Sequence, residues 1–154
     1  MKYFTRKWWR DTSDGDDQAS TMYAAYFASI KARLPGQLVI LEAEYTLHDA
    51  RVQSAQSDQD RHRMSIILNG WNQSLSYPMR YTLQFSGVSE PEQQSSWLLK
   101  HLSDLGDLGY WELELLPDNA IEMRMIFASA LEFKIIFSDF EFQHELLPRR
   151  TRPA

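Results

Sequence analysis

The 154-residue sequence contains no cysteine, and this absence excludes several kinds of site. Disulfide scaffolds, thiolate-bound zinc, iron–sulfur clusters and cysteine nucleophiles all need the thiol group. Glycine is scarce at 6 residues, and neither a glycine-rich phosphate loop nor a G-x-S-x-G nucleophile elbow occurs. The 4 histidines show no H-E-x-x-H spacing. We therefore expect no cofactor and no bound metal ion.

Long apolar runs are also missing. No stretch approaches the roughly 20 apolar residues that cross a bilayer. Residues 1–10 lack the apolar core of a signal peptide. We therefore expect a cytoplasmic protein that does not enter a membrane.

Basic residues are in deficit, with 16 Lys and Arg against 21 Asp and Glu and a net charge of −5. Arg149, Arg150 and Arg152 lie in the last residues, so the rest of the chain carries 13 basic and 21 acidic residues. An acidic body repels nucleic acid and favours association with a basic protein partner. We expect a basic protein partner and no nucleic acid.

What the sequence does contain is enough apolar surface for one core. Hydrophobic residues make up 44% of the chain, and 20 residues are aromatic. A chain of this length buries about 68–70% of its unfolded surface. We predict a single domain over residues 1–147, followed by a basic, disordered tail at 148–154.

Helical patterns dominate the first third. Thr5 can cap a short helix carrying Trp8 and Trp9. A longer apolar helix face is predicted to carry Met22, Tyr23, Tyr26, Phe27, Ile30 and Leu34. Pro35-Gly36 ends that helix. Gln37–Tyr45 is compatible with a buried strand or with a second helix that Pro35 opens, and we favour the helix.

From Leu47 onward the apolar residues alternate with polar ones, as in half-buried strands. The predicted strands are Leu47–Ser54, Met64–Asn69, Met79–Phe85, Tyr110–Leu116, Ile121–Phe127 and Leu131–Phe137, with a further one at Phe140–Gln143. A short helix, Trp97–Leu105, capped by Ser95 or Ser96, interrupts them. The predicted fold class is α+β, with N-terminal helices packed on a mostly antiparallel meander sheet of about six strands.

His48 and Asp49 are the weak catalytic candidates, because a histidine beside a carboxylate can act as a general base. Adjacent strand residues point to opposite faces, so hydrogen bonding that ties a loop explains the pair better. The loop Asp11–Asp17 fails the EF-hand spacing, and we expect it to be solvated.

Glu112 and Glu114 share one strand face and could form a glycosidase-like pair of carboxylates. Because Trp111 and its alternate neighbours take the inward face, we expect both glutamates to face water. The following hairpin is likewise expected to expose the rows Glu122/Arg124 and Glu132/Lys134.

The surplus aromatic residues are the binding candidates. Tyr3, Phe4, Trp8 and Trp9 could bind an anionic surface, but we expect them to fasten the N-terminus onto the sheet. After the core positions are assigned, five aromatics remain as candidates for a binding face: Trp8, Trp9, Trp71, Tyr77 and Trp97. Trp71, beside Gly70 on a predicted loop, is the first anchor to test.

Three segments resemble a family of small bacterial proteins of unknown function. They are Met1–Thr5 followed shortly by tryptophan, the Leu-His-Asp-Ala-Arg-Val segment Leu47–Val52, and the hairpin Ile121–Phe137 followed by Ser138-Asp139-Phe140. The resemblance implies a bacterial source and a mostly antiparallel sheet, and it supplies no activity. A looser likeness links the chain to immunity proteins that neutralise secreted toxins.

These observations favour a non-catalytic protein-binding module, in the manner of an immunity-type inhibitor. One alternative is a small-ligand-binding protein with an aromatic-lined pocket between helix and sheet. A further alternative is a small hydrolase that uses His48 and Asp49 with a third residue.

Overall fold

The computed structural model describes residues 1–11 and 18–148. The helices in this part of the chain are α1 (Arg6–Asp11), α2 (Gln18–Ile30), α3 (Gly36–Glu44) and α4 (Pro91–His101). The strands are β1 (Arg51–Asp58), β2 (Arg63–Trp71), β3 (Pro78–Ser86), β4 (Leu108–Leu115), β5 (Ile121–Phe127), β6 (Glu132–Phe137) and β7 (Asp139–Leu146). The α+β class is confirmed. Most of the predicted solvated loop, residues 12–17, and the tail residues 149–154 lie outside the described ranges.

The strands form two antiparallel sheets, ordered β1-β2-β3-β7 and β4-β5-β6. The mostly antiparallel arrangement is confirmed, and the seven strands of the described residues are divided between two sheets where one was expected. The chain passes from one sheet to the other at Ser138, whose backbone N–H donates to the carbonyl of Ser86 at 2.9 Å. Gly87 lies beside this crossing with a φ of +71°, and a Cβ there would fall 2.0 Å from the Ser138 hydroxyl. Ser138 and Asp139 mark a break between two strands, but nothing in the alternation shows that the chain changes sheet there.

Alternate residues of both sheets enter one hydrophobic core together with α3 and α4. Phe85 of the four-stranded sheet lies 5.0 Å from the ring of Phe137 in the three-stranded sheet and 5.4 Å from that of Phe140. Leu38 and Leu41 of α3 are fully buried. Each such side chain contributes about 1.5–3 kcal/mol when buried, so the crossing between the sheets is held by packing on both sides.

Helix α2 covers the outer edge of β4. The hydroxyl oxygen of Tyr23 accepts the backbone N–H of Leu113 at 2.9 Å, and that of Tyr26 accepts the N–H of Leu115 at 3.0 Å. These bonds satisfy strand amides that have no neighbouring strand on that side. They also fix the rotation of the helix, and Met22, predicted on the buried face, is 54% exposed.

The predicted helix positions were confirmed for α1 and α3. The Thr5 hydroxyl accepts the N–H of Trp8 at 3.1 Å, as expected for a cap. Residues Gly36–Glu44 are helical rather than a strand. No helix within the described ranges is long and apolar enough to span a membrane.

Several predicted boundaries were wrong. Helix α4 begins at Pro91, six positions before Trp97. Ser95 is inside the helix, where its buried hydroxyl donates to the Ser57 hydroxyl at 3.0 Å instead of capping. Strand β1 begins at Arg51 rather than Leu47, because a turn intervenes.

Candidate functional site

The hairpin between β2 and β3 projects from one end of the four-stranded sheet. Trp71, expected on a loop, is instead the last residue of β2 and pairs with Pro78 of β3. The connecting residues 72–77 are organised by Asn72, whose side-chain oxygen accepts the N–H of Ser76 at 2.8 Å and that of Tyr77 at 3.0 Å. The Asn72 amide also donates to the Ser74 hydroxyl at 2.9 Å. These hydrogen bonds between the Asn72 side chain and the backbone four and five residues on fix the loop locally.

Leu75 is at the tip of this loop in an unfavourable backbone conformation. Its φ is +57°, a region that costs a branched residue about 1–3 kcal/mol. Its backbone N–H donates to the carbonyl of Asn72 at 2.8 Å, and its side chain is 48% exposed. The fold therefore holds a leucine outward at an energetic cost, an arrangement that is common at functional sites.

Other large apolar side chains are exposed at the same end of the sheet. Trp71 is 39% exposed, Tyr77 47% and Leu146, which pairs with Met79, 68%. We call Trp71, Leu75 and Tyr77 the hairpin-tip surface; Leu146 shares the register of Gly70 and Met79 and therefore points to the other face of the sheet from Trp71. Clustered exposed apolar residues of this size are typical of interaction sites, whereas single ones are common on any surface.

A groove of about 530 Å³ adjoins the hairpin-tip surface. Trp71 lies on one side of it, and charged residues on its other sides include Asp49, Arg51 and Asp107. The guanidinium of Arg51 forms a short ion pair with Asp107. Because those two charges offset each other, Asp49 gives this part of the groove a net negative charge.

The structure brings His48 and Asp49 together in a turn, contrary to the strand geometry expected for them. Asp49 has a φ of +60°, and its carboxylate lies 3.6 Å from Nε2 of His48. Nδ1 of His48 is 2.6 Å from the carbonyl oxygen of Gly109, so this nitrogen carries the proton and donates it. The histidine thus ties the turn to β4, which is the structural role that the sequence favoured.

The remaining aromatic candidates lie elsewhere. The rings of Trp8 and Trp9 pack on Tyr110 of β4 at 4.9 and 5.3 Å. Trp9 also covers Gly109, where a Cβ would fall 2.3 Å from the indole. Trp97 stacks on Phe133 at 5.7 Å, away from the hairpin. Only Trp71 and Tyr77 of the five candidates are brought together at the hairpin.

The N-terminal segment is fastened to the outer face of the three-stranded sheet by Glu112. This carboxylate is 1% exposed and accepts the backbone N–H groups of Lys2, Tyr3 and Phe4, the last two at 2.8 and 3.2 Å. Burial raises the pKa of Glu112, but these amides and the guanidinium of Arg124 outweigh it, so the pKa lies below its usual value. The expectation that Glu112 faces water was wrong.

Arg124 connects this carboxylate to two others. Its Nη1 is 3.1 Å from Glu112, and it forms short hydrogen bonds with Glu114 and Glu122. Glu122 is 7% exposed, so its predicted exposed position was also wrong. The carboxylates are paired with a fixed cation and are not free to act as an acid and a base. The opposed pair Glu112 and Arg124 in adjacent strands is the sequence signal that could have revealed this network.

Two further features were not predicted. Glu42 of α3 accepts a hydrogen bond from the indole of Trp111 at 2.6 Å, and burial raises the pKa of Glu42 to about 7.

A concavity of about 350 Å³ lies against Arg63, Gln84 and Glu141 on the four-stranded sheet, and polar side chains form most of its wall. It differs from the expected aromatic-lined pocket. Among the described residues no group of three or more His, Asp or Glu is placed to hold a metal ion.

Comparison with known proteins yields a family and no function. A search of curated proteins and a search of solved structures each found no match. One family model matches residues 1–129, which is most of the chain and includes the N-terminal segment and the hairpin between β2 and β3. The chain belongs to the family described as "Protein of unknown function (DUF4085)".

Proposed function

We propose that this chain is a non-catalytic protein-binding module of the bacterial cytoplasm, with a basic partner of the kind that an immunity-type inhibitor neutralises. The observation that carries the proposal is the hairpin-tip surface. Its loop is held by Asn72, and it presents Leu75 outward in a costly conformation beside Trp71 and Tyr77. A rigid loop loses little entropy on binding, so exposed anchors on it are effective contacts.

Charge supports a basic partner. The chain has a net charge of −5. Near the hairpin, Arg51 is paired with Asp107, and Arg80 is paired with Glu145 at 3.0 Å. Because each arginine is offset by a carboxylate, these pairs give the surface no net positive charge that would repel a basic partner. Complementary charge chiefly accelerates association and selects among partners.

The test is partner capture from the native cell with paired variants. We expect the wild-type protein to capture a stoichiometric partner and the double variant Leu75→Ala/Tyr77→Ala to lose it. The matched control is Met22→Ala/Leu99→Ala, which removes side chains of similar exposure, 54% and 49%, from helices α2 and α4. The proposal fails if wild type captures no stoichiometric partner, or if both double variants capture it equally.

A small polar ligand is the second candidate function, and the 350 Å³ concavity favours it. Its volume is in the range of ligand sites, about 300–1,000 Å³. Within the described residues Arg63 forms no ion pair, although Asp58 is its cross-strand neighbour. If polar metabolites bind here, some will raise the melting temperature of wild type and not of Arg63→Met. This candidate would be contradicted if no metabolite in the panel raised the melting temperature of wild type, or if each one raised that of wild type and of Arg63→Met equally.

A further inference from the structure

The groove beside the hairpin-tip surface has one aromatic and one acidic side. Trp71 is 39% exposed, and the side chain of Asp49 is 51% exposed. Both line the same space of about 530 Å³. An exposed indole attracts a cation to its face, and a carboxylate accepts hydrogen bonds from that cation at its edge.

Asp49 is the carboxylate that can bind a ligand. Asp107 already accepts from the guanidinium of Arg51. Within residues 1–11 and 18–148, the only basic side chain with a nitrogen within 4 Å of the Asp49 carboxylate is His48, whose Nε2 lies at 3.6 Å. That distance is too long for a hydrogen bond. The lone pairs of Asp49 therefore face solvent or an incoming donor.

The backbone around Asp49 is fixed, so the point from which its side chain extends into the groove is defined. Its N–H donates to the carbonyl of Leu108 at 2.9 Å, and Leu108 donates back to Ala50 at 2.7 Å. Gly70 of β2 lets this turn pack close to the strand, because a Cβ at position 70 would fall 2.8 Å from the Cβ of Ala50. The backbone of this turn therefore loses little freedom on binding.

We propose that this groove binds an arginine side chain of the protein partner, with the guanidinium between Trp71 and Asp49. This inference rests on the proposed function and names the partner's contact. The planar guanidinium can stack on an indole and form hydrogen bonds with a carboxylate at the same time. An acidic side chain would be repelled by Asp49, and an apolar one would desolvate that carboxylate without pairing it.

The first experiment uses N-acetyl-arginine N-methylamide as the probe and the neutral citrulline analogue as its matched control. The indole N–H signal of Trp71, assigned by comparison with Trp71→Phe, is followed by NMR. We expect a saturable shift at millimolar arginine amide and no saturable shift with citrulline. Equal shifts with both compounds, or none with arginine amide, would overturn the proposal.

The second experiment compares Asp49→Asn with Asp139→Asn, an exposed aspartate at the other end of β7. Asparagine tolerates the positive φ of Asp49, so the turn is preserved. We expect Asp49→Asn to weaken arginine-amide binding about tenfold and Asp139→Asn to leave it unchanged. Equal affinities for the two variants would refute the role of Asp49.

Partner capture separates this inference from the proposed function. If Leu75→Ala/Tyr77→Ala abolishes capture and Asp49→Asn binds the partner as wild type does, the module binds protein but the arginine contact is wrong. If Asp49→Asn also weakens capture, the groove belongs to the interface. If wild type captures no partner, the arginine contact loses its basis even where the free amide binds.

Discussion

Replacing Arg124 with methionine would remove the cation that three carboxylates share; the ammonium group of Lys2 reaches one of them, Glu114, at 3.8 Å. The guanidinium of Arg124 pairs with Glu112, Glu114 and Glu122, and its own side chain is only 19% exposed. Methionine fills a similar length of space without charge. The substitution therefore leaves the packing nearly intact and removes the charge compensation of Glu112 and Glu122.

The expected loss of stability is large. Removing one partner of a buried ion pair costs about 3–5 kcal/mol, because the remaining charge is uncompensated. Backbone amides still hold Glu112 in the variant, which places the expected loss near the lower value, about 3 kcal/mol. Domains of this size are stable by about 5–15 kcal/mol, so the variant folds but is strongly destabilised.

Urea unfolding at neutral pH, followed by tryptophan fluorescence, measures this loss. The control is Arg80→Met, which breaks the exposed pair with Glu145, where side-chain exposures are 43% and 60%. That change should cost at most about 1 kcal/mol. Amide hydrogen exchange at Tyr3 and Phe4 should also accelerate in the Arg124 variant, since their acceptor Glu112 is no longer fixed. If Arg124→Met costs no more than Arg80→Met, the network does not stabilise the fold and the reasoning is refuted.

Two further substitutions test single contacts. Burial raises the pKa of Glu42 from 4.5 to about 7, so folded wild type binds a proton that the unfolded chain releases, and its stability falls as pH rises across that window. Glu42→Gln should remove this decline and be more stable above pH 7 by about 1–3 kcal/mol, measured by urea unfolding across pH; a variant that keeps the wild-type slope would refute the assignment. Gly109→Ala should destabilise by about 1–3 kcal/mol because its methyl group meets the indole of Trp9. Gly36→Ala, where nothing lies within 4 Å, is the control for thermal denaturation and should be neutral or slightly stabilising; equal melting temperatures would contradict the packing argument.

The parts of the fold that depend on local sequence were predictable. The strand Ile121–Phe127 and the close of its hairpin at Leu131 were confirmed, with Phe127 donating to Leu131 at 3.0 Å. The Thr5 cap was confirmed because capping involves neighbours three residues apart. Such features depend on a few adjacent residues, and the sequence shows all of them.

The candidate site was only partly predictable. Trp71 and Tyr77 were singled out because they had no place in the predicted core, but Leu75 was missed because its exposure depends on the Asn72 turn. Burial of Glu112 depends on amides 108 to 110 residues away along the chain. Contacts at such separation leave no periodic pattern, and alternation alone therefore placed this glutamate in water.

The two phenol groups that α2 places on β4 cover the open edge of the three-stranded sheet. With Tyr23 and Tyr26 in place, the amides of Leu113 and Leu115 are unavailable to another chain. If α2 detached locally, an apolar strand would present open amides, and such edges recruit further strands. Docking of α2 therefore guards against aggregation, and a Tyr23→Phe/Tyr26→Phe protein would be expected to form oligomers on mild heating before it unfolds.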